Sequence, residues 1–346
     1  MSQVPRSRST ERPPGEPTAI ASPRFDPVLV GTFFSAISAL GYTAANICLR
    51  DVAETVDPVW VSCIKAVPAA VAAWLLIARR AWLGQPSLPG GGVFGMLLVT
   101  GLCMQVGGNV GFQWSLGMIG LSLCVPLVFG TLLIGSAAAG RIWLAEAITP
   151  RSAVAMLMLV AAVGVLSWGA GRASHNDTDL LPGNHGVVYI ALAVAAACLA
   201  GVAYAACNVV IRRTAGSLLP LSVTLMVLST SGVVSLGLLS LWRIGAAGMA
   251  STAPEQWTSM ILAGVFNAVA FFSLGIALQA TTVTHTNLVN ASQVAMSAIA
   301  GIILFGEPVS AAIVVGIALT VLGLALVGRR KPSGRRRVDE MASQLE

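Results

Sequence analysis

The sequence contains the same pattern twice, and this duplication limits the folds open to the chain more than any other feature. A tyrosine, an asparagine and an arginine recur 162 residues apart with unchanged spacing: Tyr42, Asn46 and Arg50, then Tyr204, Asn208 and Arg212. A second set recurs at an offset of 161 residues: Gly140, Glu146 and Thr149, then Gly301, Glu307 and Ser310. Because the two offsets agree, the whole chain is predicted to be one duplicated unit.

The composition predicts that this unit lies in a membrane. Only 10% of the residues are charged and 56% are hydrophobic, which leaves too little polar surface for a soluble domain. Ten apolar runs are long enough to cross a hydrocarbon layer of ~30 Å. They fall at about 28–49, 58–78, 92–113, 118–141, 150–168, 187–210, 218–241, 258–278, 283–305 and 309–328. The predicted fold is an all-α integral membrane protein with ten transmembrane helices.

The distribution of basic residues predicts the orientation. With the N-terminus inside, sixteen Lys and Arg residues fall in cytoplasmic segments and three, Arg50, Arg172 and Arg243, fall outside. This asymmetry places both termini in the cytoplasm. Five spans per half is an odd number, so the halves are expected to be two inverted five-helix repeats, an arrangement typical of transporters.

The chain therefore divides into five parts: a disordered cytoplasmic tail (1–27), a first repeat (28–168), an exterior linker (169–186), a second repeat (187–328) and a basic cytoplasmic tail (329–346). The net charge of +6 follows membrane sides, so it predicts topology and no nucleic-acid partner. The sequence leaves open whether the second tail also touches anionic lipid. Six cysteines lie inside predicted spans without a Cys-x-x-Cys pair, so no metal and no cofactor is expected.

The motifs that close the fourth and ninth spans, Glu146–Pro150 and Gly306–Ser310, sit at the same point of each half. With ten spans in two five-helix repeats, the chain resembles the drug/metabolite transporter superfamily, specifically its EamA-like members, from residue 28 to 328. The resemblance implies a secondary transporter of the plasma membrane that moves a small organic metabolite, such as an amino acid or a drug-like solute, by alternating access. Export is implied by the resemblance alone.

Polar residues inside apolar spans are the candidates for solute contact, because an unpaired polar group facing lipid is costly. The clearest stripe lies on the ninth span: Thr282, Thr286, Asn290, Gln293 and Ser297. Gln105, Asn109 and Gln113 form a second stripe on the third span, Asn267 lies on the eighth, and Ser35, Ser38 and Tyr42 lie on the first. Hydrogen bonding between packed helices is the alternative role for these side chains.

Chemistry should differ between the two sides of such a cavity. Positions on the fourth span equivalent to the ninth-span stripe are largely apolar: Val125, Phe129 and Leu132. Lys65 on the second span is the only basic residue well inside the predicted bilayer, so it is a candidate contact for an anionic group, although a lysine can also extend to the interface. A pocket with one polar and one apolar wall suits an amphipathic solute.

Four further residues are gate candidates, and three could carry protons. Inversion puts Tyr42 and Asn46 near the outer mouth, and Tyr204 and Asn208 near the inner one. Interfacial anchoring and helix capping would explain these four equally well. The proton-coupling candidates are His285, Glu146 and Glu307. The alternatives are an interfacial position for the histidine and a place near a positive helix N-terminus for the two acids.

No hydrolase elbow, zinc-binding helix or phosphate-binding glycine loop occurs in the sequence, so no enzyme is predicted. Two rival functions stay open. One is a flippase for lipid-linked phosphates or sugars, and the other is a membrane assembly or sensor protein without transport activity. The expected partners are a small-molecule solute and membrane lipid. Dimer formation is left open.

Overall fold

A computed structural model describes residues 26–85, 89–175, 185–215, 218–306 and 311–328. Within these ranges the chain forms ten helices, which follow the order of the predicted spans. They are α1 (Pro27–Val52), α2 (Pro58–Trp82), α3 (Gly91–Ile119), α4 (Leu121–Leu144), α5 (Pro150–His175), α6 (His185–Thr214), α7 (Leu221–Ala250), α8 (Pro254–Ala280), α9 (Val283–Phe305) and α10 (Ala311–Gly328). Both predicted tails, except for the residues next to α1, lie outside the described residues, as does half of the predicted linker, residues 176–184.

Eight of these helices are long and apolar enough to cross a membrane: all except α5 and α10. In α5 and α10, the described side chains form shorter apolar stretches, Pro150–Ala162 and Val314–Gly323. The prediction of an all-helical membrane protein is confirmed. The described residues thus support eight of the ten predicted crossings by length and composition.

Local sequence explains where several helices begin. Asp26 and Asp57 precede α1 and α2, and their carboxylates accept hydrogen bonds from the first backbone N–H groups, Val28 N at 2.9 Å and Val59 N at 2.9 Å. A proline follows each aspartate, at a position where the missing N–H costs nothing. Thr149 caps α5 in the same way, because its hydroxyl accepts from Ser152 N at 3.2 Å.

The bundle exposes apolar side chains and buries polar ones, as expected of a protein surrounded by lipid. On α1, Phe33 and Leu40 are each 61% exposed, whereas Ser35 and Ser38 are fully buried. The buried face of α1 packs closely on α8. A Cβ added at Gly41 would lie 3.1 Å from the carbonyl oxygen of Phe266, so a small residue there allows the two backbones to approach.

The helices pack in a definite set of pairs. The largest contacts are α1 with α8, α6 with α4 and α3, α2 with α7, and α5 with α10. Smaller contacts join α2 with α8, α3 with α7, α1 with α9, and α4 with α9. This arrangement surrounds a central space with eight helices, whereas α5 and α10 pack together to one side.

Two of the helices beside this space are irregular at mid-length. In α3 the segment Met104–Val110 is a π-helix, whose wider turn is frequent at functional sites. In α9 the chain forms two segments, Val283–Asn290 and Ser292–Phe305, with Ala291 between them. The Asn290 side chain donates to the carbonyl oxygen of Thr286 at 3.2 Å, which is one way in which a polar side chain disturbs a helix.

Candidate functional site

A cavity of about 110 Å³ lies between α1, α2, α3, α4, α6, α7, α8 and α9. Its described lining combines one charged side chain, a set of amides and a set of apolar side chains. The irregular parts of α3 and α9 both contribute to it. The cavity is the natural candidate for the functional site, since it is enclosed by helices of both halves.

One wall is a hydrogen-bonded chain that starts at Lys65. Its ammonium donates to Asn109 Oδ1 at 2.8 Å, and the hydroxyl of Tyr204 donates to the same oxygen at 2.9 Å. Asn109 Nδ2 donates to Gln105 Oε1 at 2.6 Å, and Gln105 Nε2 donates to the carbonyl oxygen of Leu228 at 3.1 Å. Each amide is therefore held in one orientation by its neighbours.

The π-helix brings Gln105 and Asn109 together on the cavity side of α3. Gly108, inside the same segment, makes room for Tyr204. A Cβ at this position would lie 2.8 Å from the tyrosine ring, a distance that real contacts do not tolerate. The small residue therefore allows α6 to approach α3 closely enough for the Tyr204 hydroxyl to reach Asn109.

A second polar group is formed by α9 and α6. Gln293 Nε2 donates to Asn290 Oδ1 at 3.2 Å, and Asn208 Nδ2 donates to Asn287 Oδ1 at 2.8 Å. All four amides are buried and line the cavity. Asn287 Nδ2 has no hydrogen-bond partner among the described residues, so this group presents a free donor inside the bundle.

The remaining wall is apolar. The α4 side chains Val125, Val128, Phe129 and Leu132 line it, together with Phe112 from α3 and Phe271 and Leu274 from α8. The pocket thus has the polar and apolar sides that the sequence predicts. Lys65 is the only charged residue among the described residues that line it.

The cavity brings together six of the predicted substrate contacts: Lys65, Gln105, Asn109, Asn267, Asn290 and Gln293. Three others, Ser38, Thr286 and Ser297, are fully buried but do not line it, and their hydroxyl oxygens have no hydrogen-bond partner among the described residues. The stripe predicted along α9 assumed one straight helix, whereas the break at Ala291 separates Thr286 from Gln293 and Ser297. Their role in solute contact stays a prediction.

The four gate candidates, Tyr42, Asn46, Tyr204 and Asn208, all line this one cavity. Their assignment to gates at opposite mouths stays a prediction. Tyr204 and Asn208 make the hydrogen bonds to Asn109 and Asn287 described above. These two side chains are thereby part of the cavity wall.

The proton-coupling candidates lie elsewhere. His285 Nε2 is 2.9 Å from the Thr32 hydroxyl, near the start of α9. Both carboxylate oxygens of Glu146 accept from Val283 N at 3.1 Å, so this acid lies at the N-terminus of α9 instead of that of the helix following it in sequence. Glu307 lies outside the described residues. A proton-coupling role for the three stays a prediction.

Sequence reasoning missed several lining residues, of which Asn287 and Ser229 are polar. Asn287 precedes Asn290 by three positions and therefore shares its helix face. The polar stripe predicted for the ninth span runs through Thr286 and not through Asn287. Ser229 is followed directly by Thr230 and Ser231, and three consecutive polar residues point to different sides of a helix, so the pattern does not predict which of them reaches the cavity.

A comparison with protein families gives a match in the second half of the chain. Residues 191–329 match the model of the EamA-like transporter family. The expected resemblance to the drug/metabolite transporter superfamily is thereby confirmed. The part of the chain from residue 191 to 329 is therefore similar to a family of membrane transporters, and eight of the described helices are long and apolar enough to cross a membrane.

Solved structures show that the fold is shared. Twenty-eight chains of known structure match. One of them, described only as a crystal structure of a protein, aligns with a TM-score of 0.63 at 16% sequence identity, over 86% of this chain and 96% of that one. At this identity the likeness concerns the fold alone. No curated protein matches the sequence.

Proposed function

We propose that the protein is a secondary transporter that carries a small organic metabolite through the central cavity by alternating access. The observation that carries the proposal is the position of the cavity, which eight helices from both halves surround at mid-length and which is lined by buried amides. Polar and ionisable residues are rare inside membrane spans and often mark the path of a solute or ion, and here they gather around one cavity. A scaffold or sensor has no comparable need for them.

Two inverted repeats are the second part of the proposal, and the helix pairs support it. The main contacts recur when each helix is replaced by the one five places away in the chain. The contact of α1 with α8 corresponds to that of α6 with α3, and the contact of α4 with α6 corresponds to that of α9 with α1. The pairs α2 with α7, α4 with α9 and α5 with α10 correspond to themselves. Rocking one repeat against the other would expose the cavity first to one side and then to the other.

Backbone conformation after α4 and α9 gives independent support. Both helices end in a left-handed residue, Ala145 with φ 51° and Gly306 with φ 65°, and the two positions are 161 residues apart. Alanine adopts this conformation rarely. Its use here is explained if the first half keeps the geometry of a common ancestor of both repeats.

The volume of the cavity favours a small solute. At about 110 Å³ the space holds several water-sized groups, which fits a small metabolite. We propose the plasma membrane as the location, with both termini in the cytoplasm and net export as the direction.

A solute is first identified by thermal stabilisation of the purified protein, because a ligand that binds only the folded state raises its apparent stability. Transport of that solute is then measured with the purified protein in proteoliposomes. Replacing both α9 amides, Asn290→Leu with Gln293→Leu, should abolish flux of that solute while the folded protein persists. Thr320→Val on α10 is the control, since this buried threonine bonds only to its own helix, at Gly316, and does not line the cavity. Unchanged flux in the double variant would contradict the proposed route.

A further inference from the structure

The charge balance of the cavity points to the chemistry of the solute. The Lys65 side chain is 4% exposed, and no carboxylate of the described residues lies within ion-pair distance of it. Its ammonium has three N–H donors, and its one hydrogen bond in the described part of the chain goes to Asn109. A buried cation without a counter-ion is unfavourable. The site therefore lacks one negative charge and has two donors available to receive it.

The ammonium is also held in position. Asn109 Oδ1 accepts from both Lys65 and Tyr204, and its Nδ2 is occupied by Gln105. Turning the Asn109 amide around would place its NH₂ group against the Lys65 ammonium and its oxygen against Gln105 Oε1, so both of these hydrogen bonds would be lost. Lys65 is thus directed into the cavity by a fixed acceptor, so an arriving anion meets a preorganised donor.

The rest of the lining limits what the anion can carry. Glutamate and aspartate are absent from the described lining, so a second, positive group of the solute would find amide oxygens but no counter-charge. A dianion would exceed the single cation. Opposite the amides, the α4 wall of Val125, Val128, Phe129 and Leu132 offers contact to hydrocarbon.

We infer that the solute is a small monocarboxylate with an uncharged, largely apolar remainder, whose carboxylate pairs with Lys65 and whose tail lies against the α4 wall. This inference rests on the proposed transport function and names its substrate class. Zwitterionic amino acids, amines and dianionic phosphates are predicted to bind more weakly. Their charges do not match the single cation.

The experiment uses the full-length purified protein and a series of compounds with similar branched tails. The compounds are 4-methylpentanoate, its amide 4-methylpentanamide, leucine and 3-methylbutylamine, and thermal stabilisation is measured against concentration. We expect the carboxylate to stabilise the protein at concentrations at least about tenfold lower than the amide or leucine, since a charge-assisted hydrogen bond is stronger than a neutral one. The amine should have no effect.

Two variants test the role of the lysine. Lys65→Met should remove the preference for carboxylate over amide, whereas Lys65→Arg should retain it. The compound series on the unaltered protein decides the question even if Lys65→Met fails to fold. Equal binding of the carboxylate and the amide, a preference for the amine, or no stabilisation by any compound would overturn the inference.

Transport measurements separate this inference from the proposed function. Flux of a neutral or cationic solute through proteoliposomes, abolished by the Asn290/Gln293 double change, would preserve the transport function and refute the carboxylate. Carboxylate binding that depends on Lys65 but produces no flux would preserve the carboxylate site and refute transport.

Discussion

Different kinds of contact join the helices at the two ends of the bundle. At the end where α4, α6 and α8 finish and α9 begins, Glu146 accepts from Val283 N at 3.1 Å. Arg212 lies 3.9 Å from the same carboxylate and donates to the carbonyl oxygens of Leu278 and Gln279 at 2.8 and 2.9 Å. The predicted topology places this end, which we call the Glu146 end, in the cytoplasm.

At the opposite end, which we call the Asp57 end, the contacts between helices are made mainly by side chains near the surface. Arg243 Nη2 is 3.1 Å from Asp57 Oδ2, and the Arg243 side chain is 47% exposed. Trp60 packs edge-on against Trp257 with ring centroids 5.7 Å apart and donates to the Thr252 hydroxyl at 3.1 Å. The predicted topology places this end outside.

The difference predicts at which end the contacts between helices cost more free energy to break. The Glu146 side chain is 9% exposed, and its partners are the first backbone N–H of α9, at Val283, and the Arg212 side chain. A buried charged hydrogen bond contributes roughly 1.5–3 kcal/mol, whereas an exposed ion pair contributes about 0–1 kcal/mol. Opening the Asp57 end should therefore cost less free energy than opening the Glu146 end, unless the contact between Trp60 and Trp257 makes up the difference.

The largest effect is expected from Glu146→Ala. This change leaves the first N–H of α9, at Val283, without its acceptor and removes the ion-pair partner of Arg212, so we expect the free energy of unfolding to fall by about 2–4 kcal/mol. Unfolding in mixed micelles by a denaturing detergent measures the loss. The Thr282→Cys variant places a thiol next to Val283. This thiol should react faster with a water-soluble maleimide when Glu146→Ala is also present than when Glu146 is unchanged.

Glu146→Gln is the matched variant, because the amide oxygen still accepts from Val283 N but no longer attracts Arg212. It should lose less than half of the stability that Glu146→Ala loses. If both variants unfold like the unaltered protein, the Glu146 end is not held by this carboxylate and the comparison of the two ends fails.

The Glu146 contact also shows where sequence reasoning stops. The sequence places Glu146 directly before Thr149 and Pro150, so a helix N-terminus was expected nearby, and α5 begins there. The N–H that the carboxylate binds belongs to Val283, 137 residues away. Local patterns predict that a helix begins, but only packing decides which helix end a side chain meets.

The same limit applies to the helices and the cavity. Hydropathy predicted α1 at 28–49 and α4 at 118–141, within a few residues of Pro27–Val52 and Leu121–Leu144, since lipid selects long apolar runs directly. The π-helix in α3 and the break in α9 depend on side chains that bond to backbone and to other helices, so no periodicity revealed them. Polar residues in apolar spans therefore indicated much of the cavity lining, but not which members of a stripe reach it.

The second prediction tests whether the tryptophan pair compensates at the Asp57 end. Trp60→Leu removes the ring contact with Trp257 and the hydrogen bond to Thr252, and we expect a loss of about 1–3 kcal/mol in the free energy of unfolding. A double-mutant cycle with Trp257→Leu isolates the ring contact. Its coupling free energy should be about 0.5–1.5 kcal/mol, and a coupling near zero would mean that the two rings merely lie side by side.

The smallest effect is expected from Asp57→Asn, because the amide oxygen can still accept from Val59 N and only the ion pair with Arg243 is lost. The free energy of unfolding should fall by no more than about 1 kcal/mol, and the difference should shrink as salt is raised from 0.01 to 1 M, over which the screening length falls from about 30 to 3 Å. Asp57→Ala is the control, since it also removes the cap of α2 and should lose about 1 kcal/mol more. A salt-independent loss for Asp57→Asn as large as that for Glu146→Ala would contradict this comparison. The Asp57 end would then be held as strongly as the Glu146 end.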